Sequence, residues 1–233
     1  MKLSLRTLSI SAAFIALSCV GISPASAAPT NLLVNGSFED PILANGTWNT
    51  YSSITGWTAT PNGKIEVQRN AAGSPYDGFN LVELDSDNYD PSKFNAQNPL
   101  GLYQDVATVA GQDYTLSFAH SARPGTTAAE NVFNVLVNDA SNVGNIFTES
   151  ISDGAGGSNT AWSIFTKTFK ATSALSRVQF NYTGPLNTYG SYIDDVKLAT
   201  AVPEPTAITG IVLAGLGLVT LKKRNALKKS VVA

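Results

Sequence analysis

The sequence predicts an all-β domain, and three observations carry the prediction. Apolar and polar residues alternate with period two in several segments, glycine-containing turn signals separate those segments, and no stretch between residues 30 and 200 has a 3.6-residue apolar period. Residues 113–118 put Tyr114, Leu116 and Phe118 on one face, and residues 177–182 put Val178, Phe180 and Tyr182 on one face. Further strands are read at 79–84, 102–106, 132–137 and 192–198. Turn signals stand at Asn35-Gly36, Asn45-Gly46, Asn62-Gly63, Ala110-Gly111, Pro124-Gly125 and through the glycine-rich residues 153–157. Eight to ten short strands at this spacing suit a sandwich or barrel. The absence of any fixed-period repeat argues against a propeller or solenoid.

Residues 1–27 read as a secretory signal peptide. Lys2 and Arg6 form a basic start, Leu8 to Ile22 is apolar, and Ala25-Ser26-Ala27 is a small-x-small cleavage pattern. Cys19 lies within this segment; as a lipoprotein site it is disfavoured by Ala16, where Leu or Val is preferred.

Residues 28–200 then form the predicted β-sandwich domain. From residue 28 to 203 there is no cysteine, one histidine, eight Lys and Arg and sixteen Asp and Glu, so this part carries about −8 although the whole chain carries −2. Such an acidic domain is a poor partner for nucleic acid, which is bound through Lys and Arg at its phosphates. Without cysteine no disulfide braces it, and stability must come from a hydrophobic core or a metal. Its length suits one core rather than two.

Residues 201–229 have a different organisation. Pro203-Glu204-Pro205 is extended because proline fixes φ and lacks a backbone donor. An uncharged apolar run follows from 206 to 221, then a basic tail at 222–229. Sixteen residues span roughly 24 Å as a helix, a little under the roughly 30 Å hydrocarbon core, a mismatch that snorkelling lysines absorb. The basic residues predict a cytoplasmic C-terminus. This arrangement resembles the PEP-CTERM sorting signal. The resemblance implies an exosortase-type membrane enzyme as partner, transient residence in the inner membrane through 206–221, and release to the cell envelope surface or outside.

A second resemblance covers residues 31–199. It rests on Asn35-Gly36-Ser37-Phe38-Glu39 at one end and Asp194-Asp195-Val196 at the other, with Gly56-Trp57, Ile65-Glu66-Val67, residues 81–85, 102–106 and 111–118 between. It is similar to the galactose-binding-like jelly-roll superfamily, near carbohydrate-binding modules, and to a cell-wall-associated family of unknown function. The plant members carry cysteines and a second such domain, and residues 28–203 have neither. The resemblance implies a single jelly-roll β-sandwich whose first and last strands share a structural Ca²⁺, with Glu39 and one of Asp194 and Asp195 as ligands. If Val196 and Leu198 face the core, strand phase favours Asp194, and a bulge exchanges the two. Calcium takes six to eight oxygens, so carbonyls near Gly36 and Ser37 would complete the shell. Glu83, Asp85, Asp87 and Asp90 lack the spacing of a calcium loop and read as a solvated acidic loop.

Sugar recognition needs flat aromatic faces beside amide and guanidinium donors. Trp48 and Tyr51 lie in the first long connection, Tyr76 and Tyr89 flank another, and Gln104 and Arg123 come from motif positions. Together these are the candidate glycan-binding residues. Trp162 and Tyr189 lie in late loops, whereas Trp57, Phe118 and His120 read as core. No catalytic cysteine, His-Glu-x-x-His or Gly-x-Ser-x-Gly motif occurs between residues 28 and 203, which predicts a non-catalytic protein. Two classes are expected: a polysaccharide-binding module at the cell surface, or a structural matrix protein acting through protein contacts.

Overall fold

A computed structural model describes residues 30–61, 63–87, 99–140 and 144–201. The predicted signal peptide, Tyr89, Asp90, Pro203, Glu204, Pro205 and the apolar run 206–221 lie outside the described residues. Among the described residues no helix is long and apolar enough to cross a membrane.

Among the described residues twelve strands form in chain order: β1 (Thr47–Tyr51), β2 (Ser53–Ile54), β3 (Trp57–Ala59), β4 (Ile65–Arg69), β5 (Leu81–Glu83), β6 (Gly101–Ala107), β7 (Asp113–Ser121), β8 (Val132–Asp139), β9 (Gly144–Ser152), β10 (Ser163–Lys170), β11 (Leu175–Tyr182) and β12 (Tyr192–Thr200). They make two six-stranded sheets, β1-β4-β5-β12-β7-β10 and β2-β3-β6-β11-β8-β9. Neighbouring strands pair antiparallel, from the β12–β7 and β6–β11 ladders inside the sheets to β2–β3 and β7–β10 at their edges. From β5 onward the chain crosses repeatedly between the sheets, as a jelly-roll sandwich requires.

Alternation decides what lies between the sheets. β7 contributes Tyr114, Leu116 and Phe118, β11 contributes Val178, Phe180 and Tyr182, and β8 contributes Phe133, Val135 and Val137, all buried. The Phe118 ring stacks on Phe165 at 4.8 Å and meets Phe180 edge-on at 4.9 Å. Trp57 packs between Phe38 at 5.4 Å and Phe180 at 6.2 Å, and its indole N–H donates to the Asn35 carbonyl at 3.1 Å. Each such buried side chain contributes about 1.5–3 kcal/mol. His120 ends the core-facing row of β7, its ring 5.8 Å from Phe118, and Nδ1 pairs with Asp153 at 2.5 Å.

The chain ends meet. Leu32 N–H donates to the Leu198 carbonyl at 2.7 Å, and the Asn31 amide brackets β12, donating to Val196 O at 3.1 Å and accepting from Leu198 N–H at 2.9 Å. Gly36 is required here, because a Cβ would stand 2.0 Å from the Val196 carbonyl oxygen. A bulge between Asp194 and Lys197, with Asp195 at φ 49°, resets the phase of β12. Val196 and Leu198 therefore face the core, while Asp194 stays with Tyr192 on the outer face. Unbroken alternation places Asp194 with Val196; the bulge separates them.

Candidate functional site

The outer face of the first sheet is polar yet buried. On β4, Ile65 and Val67 enter the core, so Glu66 and Gln68 point the other way, and both are under 4% exposed. Glu66 lies directly opposite Glu83 of β5 in register. Loops 70–80 and 184–191 roof much of this face. What stays open is a cleft of about 240 Å³ floored by Glu66 and Gln68, walled by Ala71, Asp87, Arg123 and Tyr189, and bordered by Trp48. Trp48 sits opposite Gln68 in the β1–β4 register, which puts its ring on this face. Trp48 is 47% exposed and Tyr189 46%.

The floor is held by one connected network. The Gln68 amide donates to Glu66 Oε1 at 2.9 Å and to Glu83 Oε2, while its carbonyl accepts from the Tyr192 hydroxyl at 3.1 Å. Arg123 donates from Nε to Tyr192 Oη at 3.2 Å and from Nη1 to Thr188 O at 3.2 Å, and it stands 3.4 Å from Glu83. Its guanidinium lies over the Tyr189 ring at 4.2 Å, which fixes the aromatic wall. Burial pushes the Glu83 carboxyl well above the usual carboxylate range, and the Glu66 charge adds to that, with Arg123 opposing. Glu66 is raised by burial against the Asp87 N–H.

Carboxylates also anchor the loops around the cleft. Asp85 Oδ2 accepts backbone N–H from Asn187 at 2.9 Å, Thr188 at 2.8 Å and Tyr189 at 3.3 Å, and Glu83 accepts from Gly190 at 2.7 Å. These bonds set the Tyr189 loop. Burial nonetheless raises the Asp85 carboxyl to about 6. Glu66 Oε2 holds the Asp87 N–H at 2.8 Å. Glu83 and Asp85 are therefore buried clamps rather than members of a solvated loop, because roofing loops cover the outer face of β5.

Glu39 and Asp194 grip loop 74–80 from two sides. Glu39 Oε1 accepts N–H from Phe79 at 2.8 Å and Asn80 at 2.9 Å. Gly78, at φ +63°, lets the loop pass, since a Cβ there would lie 2.5 Å from the Glu39 carboxyl carbon. Asp194 accepts from Tyr76 at 2.8 Å, Asp77 at 3.0 Å and Asp195 at 2.6 Å, and burial raises its carboxyl to about 7. Asp195 pairs with Lys197 at 2.5 Å. Backbone donors reach both Asp194 oxygens, Oδ2 from Tyr76 and Asp77 and Oδ1 from Asp195, so this carboxylate clamps the loop. Among the described residues no group of three or more His, Cys, Asp or Glu is placed to hold a metal.

Of the sequence-derived glycan residues, the fold brings Trp48 and Arg123 together in the cleft. Tyr51 does not reach it. It lies three residues from Trp48 on a strand of period two, sits opposite Ile65, and packs against the core. Gln104 is also excluded: it shares the core-facing phase of β6, and its amide clamps Val34, accepting its N–H at 2.7 Å and donating to its carbonyl at 3.0 Å. Tyr76 is exposed but belongs to a separate ridge, edge-on to Trp162 at 6.0 Å. Glu66, Gln68 and Tyr189 were not singled out for the site. Glu66 and Gln68 carry a legible signal, polar residues alternating with Ile65 and Val67, whereas Tyr189 is placed by its loop.

The chain belongs to a family described as a protein of unknown function (DUF642), whose profile matches residues 31–199. No curated protein matches it. Its fold is similar to a CBM4 structure at 18% identity, covering 72% of this chain and 99% of that one with a TM-score of 0.45. It is similar to TmCBM61 in complex with β-1,4-galactotriose at 17% identity, covering 74% and 99% with a TM-score of 0.44. A family 35 carbohydrate binding module from Clostridium thermocellum is 16% identical, with 66% and 99% covered and a TM-score of 0.38.

Proposed function

We propose that this member of the DUF642 family is an exported, non-catalytic polysaccharide-binding protein that takes its ligand in the cleft between Trp48 and Tyr189. One observation carries the reading: two half-exposed aromatic rings border a concave site whose floor is an ordered network of carboxylate, amide and guanidinium groups. Sugar rings bring apolar C–H faces that pack on aromatics and hydroxyls that need fixed polar partners, which is what such a site offers. The Glu66 carboxylate is engaged with Gln68 and the Asp87 N–H, and Glu83 beside it with Gln68 and Arg123, which suits positioning rather than proton transfer. The predicted signal peptide and the Pro203-Glu204-Pro205 tail support export and handling by an exosortase-type enzyme, with the final location at the cell surface or outside.

The test is a glycan array with the full-length chain and its Trp48→Ala variant, with and without calcium. Saturable binding to a defined polysaccharide, weakened at least about tenfold in the variant, supports the reading. Silence across all glycans, or binding indifferent to Trp48, rejects it. Calcium-dependent binding supports the cation expected at Glu39 and Asp194. A second reading, protein contact within a matrix, is favoured by the exposed Ile42 and Phe79, which line an apolar hollow beside Leu43 and Arg69. Self-association lost on Phe79→Ser with glycan silence selects it.

A further inference from the structure

The walls of the cleft decide which sugars enter it. Among the described residues that line it, Arg123 is the one cation, against the carboxylates of Glu66 and Asp87. Arg123 is committed to Tyr192, Thr188 and Glu83, and its plane is covered by Tyr189. An anionic sugar therefore meets two acids and a cation already committed to other partners. A second hollow of about 290 Å³ shares Tyr189 and Arg123 with the cleft. Its remaining polar wall is Thr126, Thr127 and Glu130. Acceptors thus line both hollows. The surrounding domain, carrying sixteen acids and eight bases between residues 28 and 203, adds a negative field of the same sign.

We infer that the cleft selects a cationic amino-sugar polymer, one bearing free glucosamine-type ammonium groups, over neutral and uronate-bearing chains. The inference rests on the polysaccharide reading. An ammonium on the sugar donates to Asp87 while the ring stacks on Trp48 or Tyr189. A uronate carboxylate in the same place faces like charge, which is how an interface rejects wrong partners. Two hollows that share Tyr189 suit a chain rather than a single sugar.

The experiment is calorimetric titration of the full-length chain at pH about 6. Three oligosaccharides are compared: a β-1,4 glucosamine hexamer, its fully N-acetylated counterpart and a galacturonate hexamer. The expected result is binding of the glucosamine hexamer at least about tenfold tighter than the acetylated one at about 0.02 M salt, the gap narrowing at about 0.5 M, and no binding of the uronate. Asp87→Asn is expected to shrink the preference to about threefold, and the salt dependence of the unaltered chain tests the same charge without a variant. Equal affinity for the two β-1,4 hexamers, uronate binding as tight as glucosamine, or an undiminished preference in Asp87→Asn overturns the charge selection and leaves sugar binding intact. Silence toward all three hexamers and the glycan array overturns both.

Discussion

Raising the pH from 5 to 8 is expected to destabilise this domain, and Asp194 gives the size of the effect. Its carboxyl is buried beneath loop 74–80, and burial lifts it from 3.8 to about 7 against the opposing N–H groups of Asp77, Tyr76 and Asp195. A carboxyl raised in the folded state favours the protonated form there. The stability it contributes is complete below 3.8, declines as pH rises, and is gone above about 7. From pH 5 to 8 the change is about two pH units of linkage, or about 3 kcal/mol at about 1.4 kcal/mol per unit. For a domain of this size that is roughly 6–12 °C in Tm. Asp85, raised to about 6, and Glu83, raised well above its usual range, act in the same direction. The assay is thermal unfolding of the full-length chain at pH 5, 6, 7 and 8, beside Asp194→Asn. The variant is expected to lose about 1–3 kcal/mol at pH 5 through a poorer acceptor, and to show a flatter pH profile. A Tm that holds or rises from pH 5 to 8, or a variant with the unaltered slope, refutes the assignment of a buried, proton-hungry clamp.

Three further expectations use the same geometry. Phe118→Ala removes the ring that contacts Phe165, Phe133 and Phe180 and is expected to lose about 3–5 kcal/mol in denaturant unfolding, whereas Trp48→Ala, at an exposed edge, leaves stability within about 0.5 kcal/mol. Gln104→Ala frees Val34 and is expected to destabilise by about 1–3 kcal/mol while glycan affinity stays the same; a binding loss larger than tenfold would return Gln104 to the site. Chelation is expected to leave Tm unchanged, because Glu39 and Asp194 are occupied by backbone N–H groups; a rise of several degrees in millimolar calcium contradicts that.

The central strands were legible because their alternation reports burial directly: β7, β8, β11 and β12 stand where apolar residues recur every second position. The strands at the sheet edges were not. β1 reads as part of a long connection because its residues are polar or aromatic on both sides, and β9 and β10 expose much of their length. The β12 bulge breaks the phase on which the placement of Asp194 depended, and only the ladder to β7 reveals it. Glu66 and Glu83 carry no sequence mark of their closeness, since their pairing follows from the β4–β5 register across a loop. Trp48 is recognisable from residue type and polar surroundings and Arg123 from its motif position, but their partner Tyr189 is positioned by Asp85 and Glu83 through backbone bonds that no spacing rule encodes.

The most direct measurement is a crystal structure of the full-length chain with its tightest oligosaccharide. A sugar ring within about 4 Å of the Trp48 or Tyr189 ring, with hydroxyl or ammonium groups on Glu66, Asp87 or Arg123, is the expected result. A glycan seated instead on the Tyr76–Trp162 ridge, with the cleft containing only water, contradicts it.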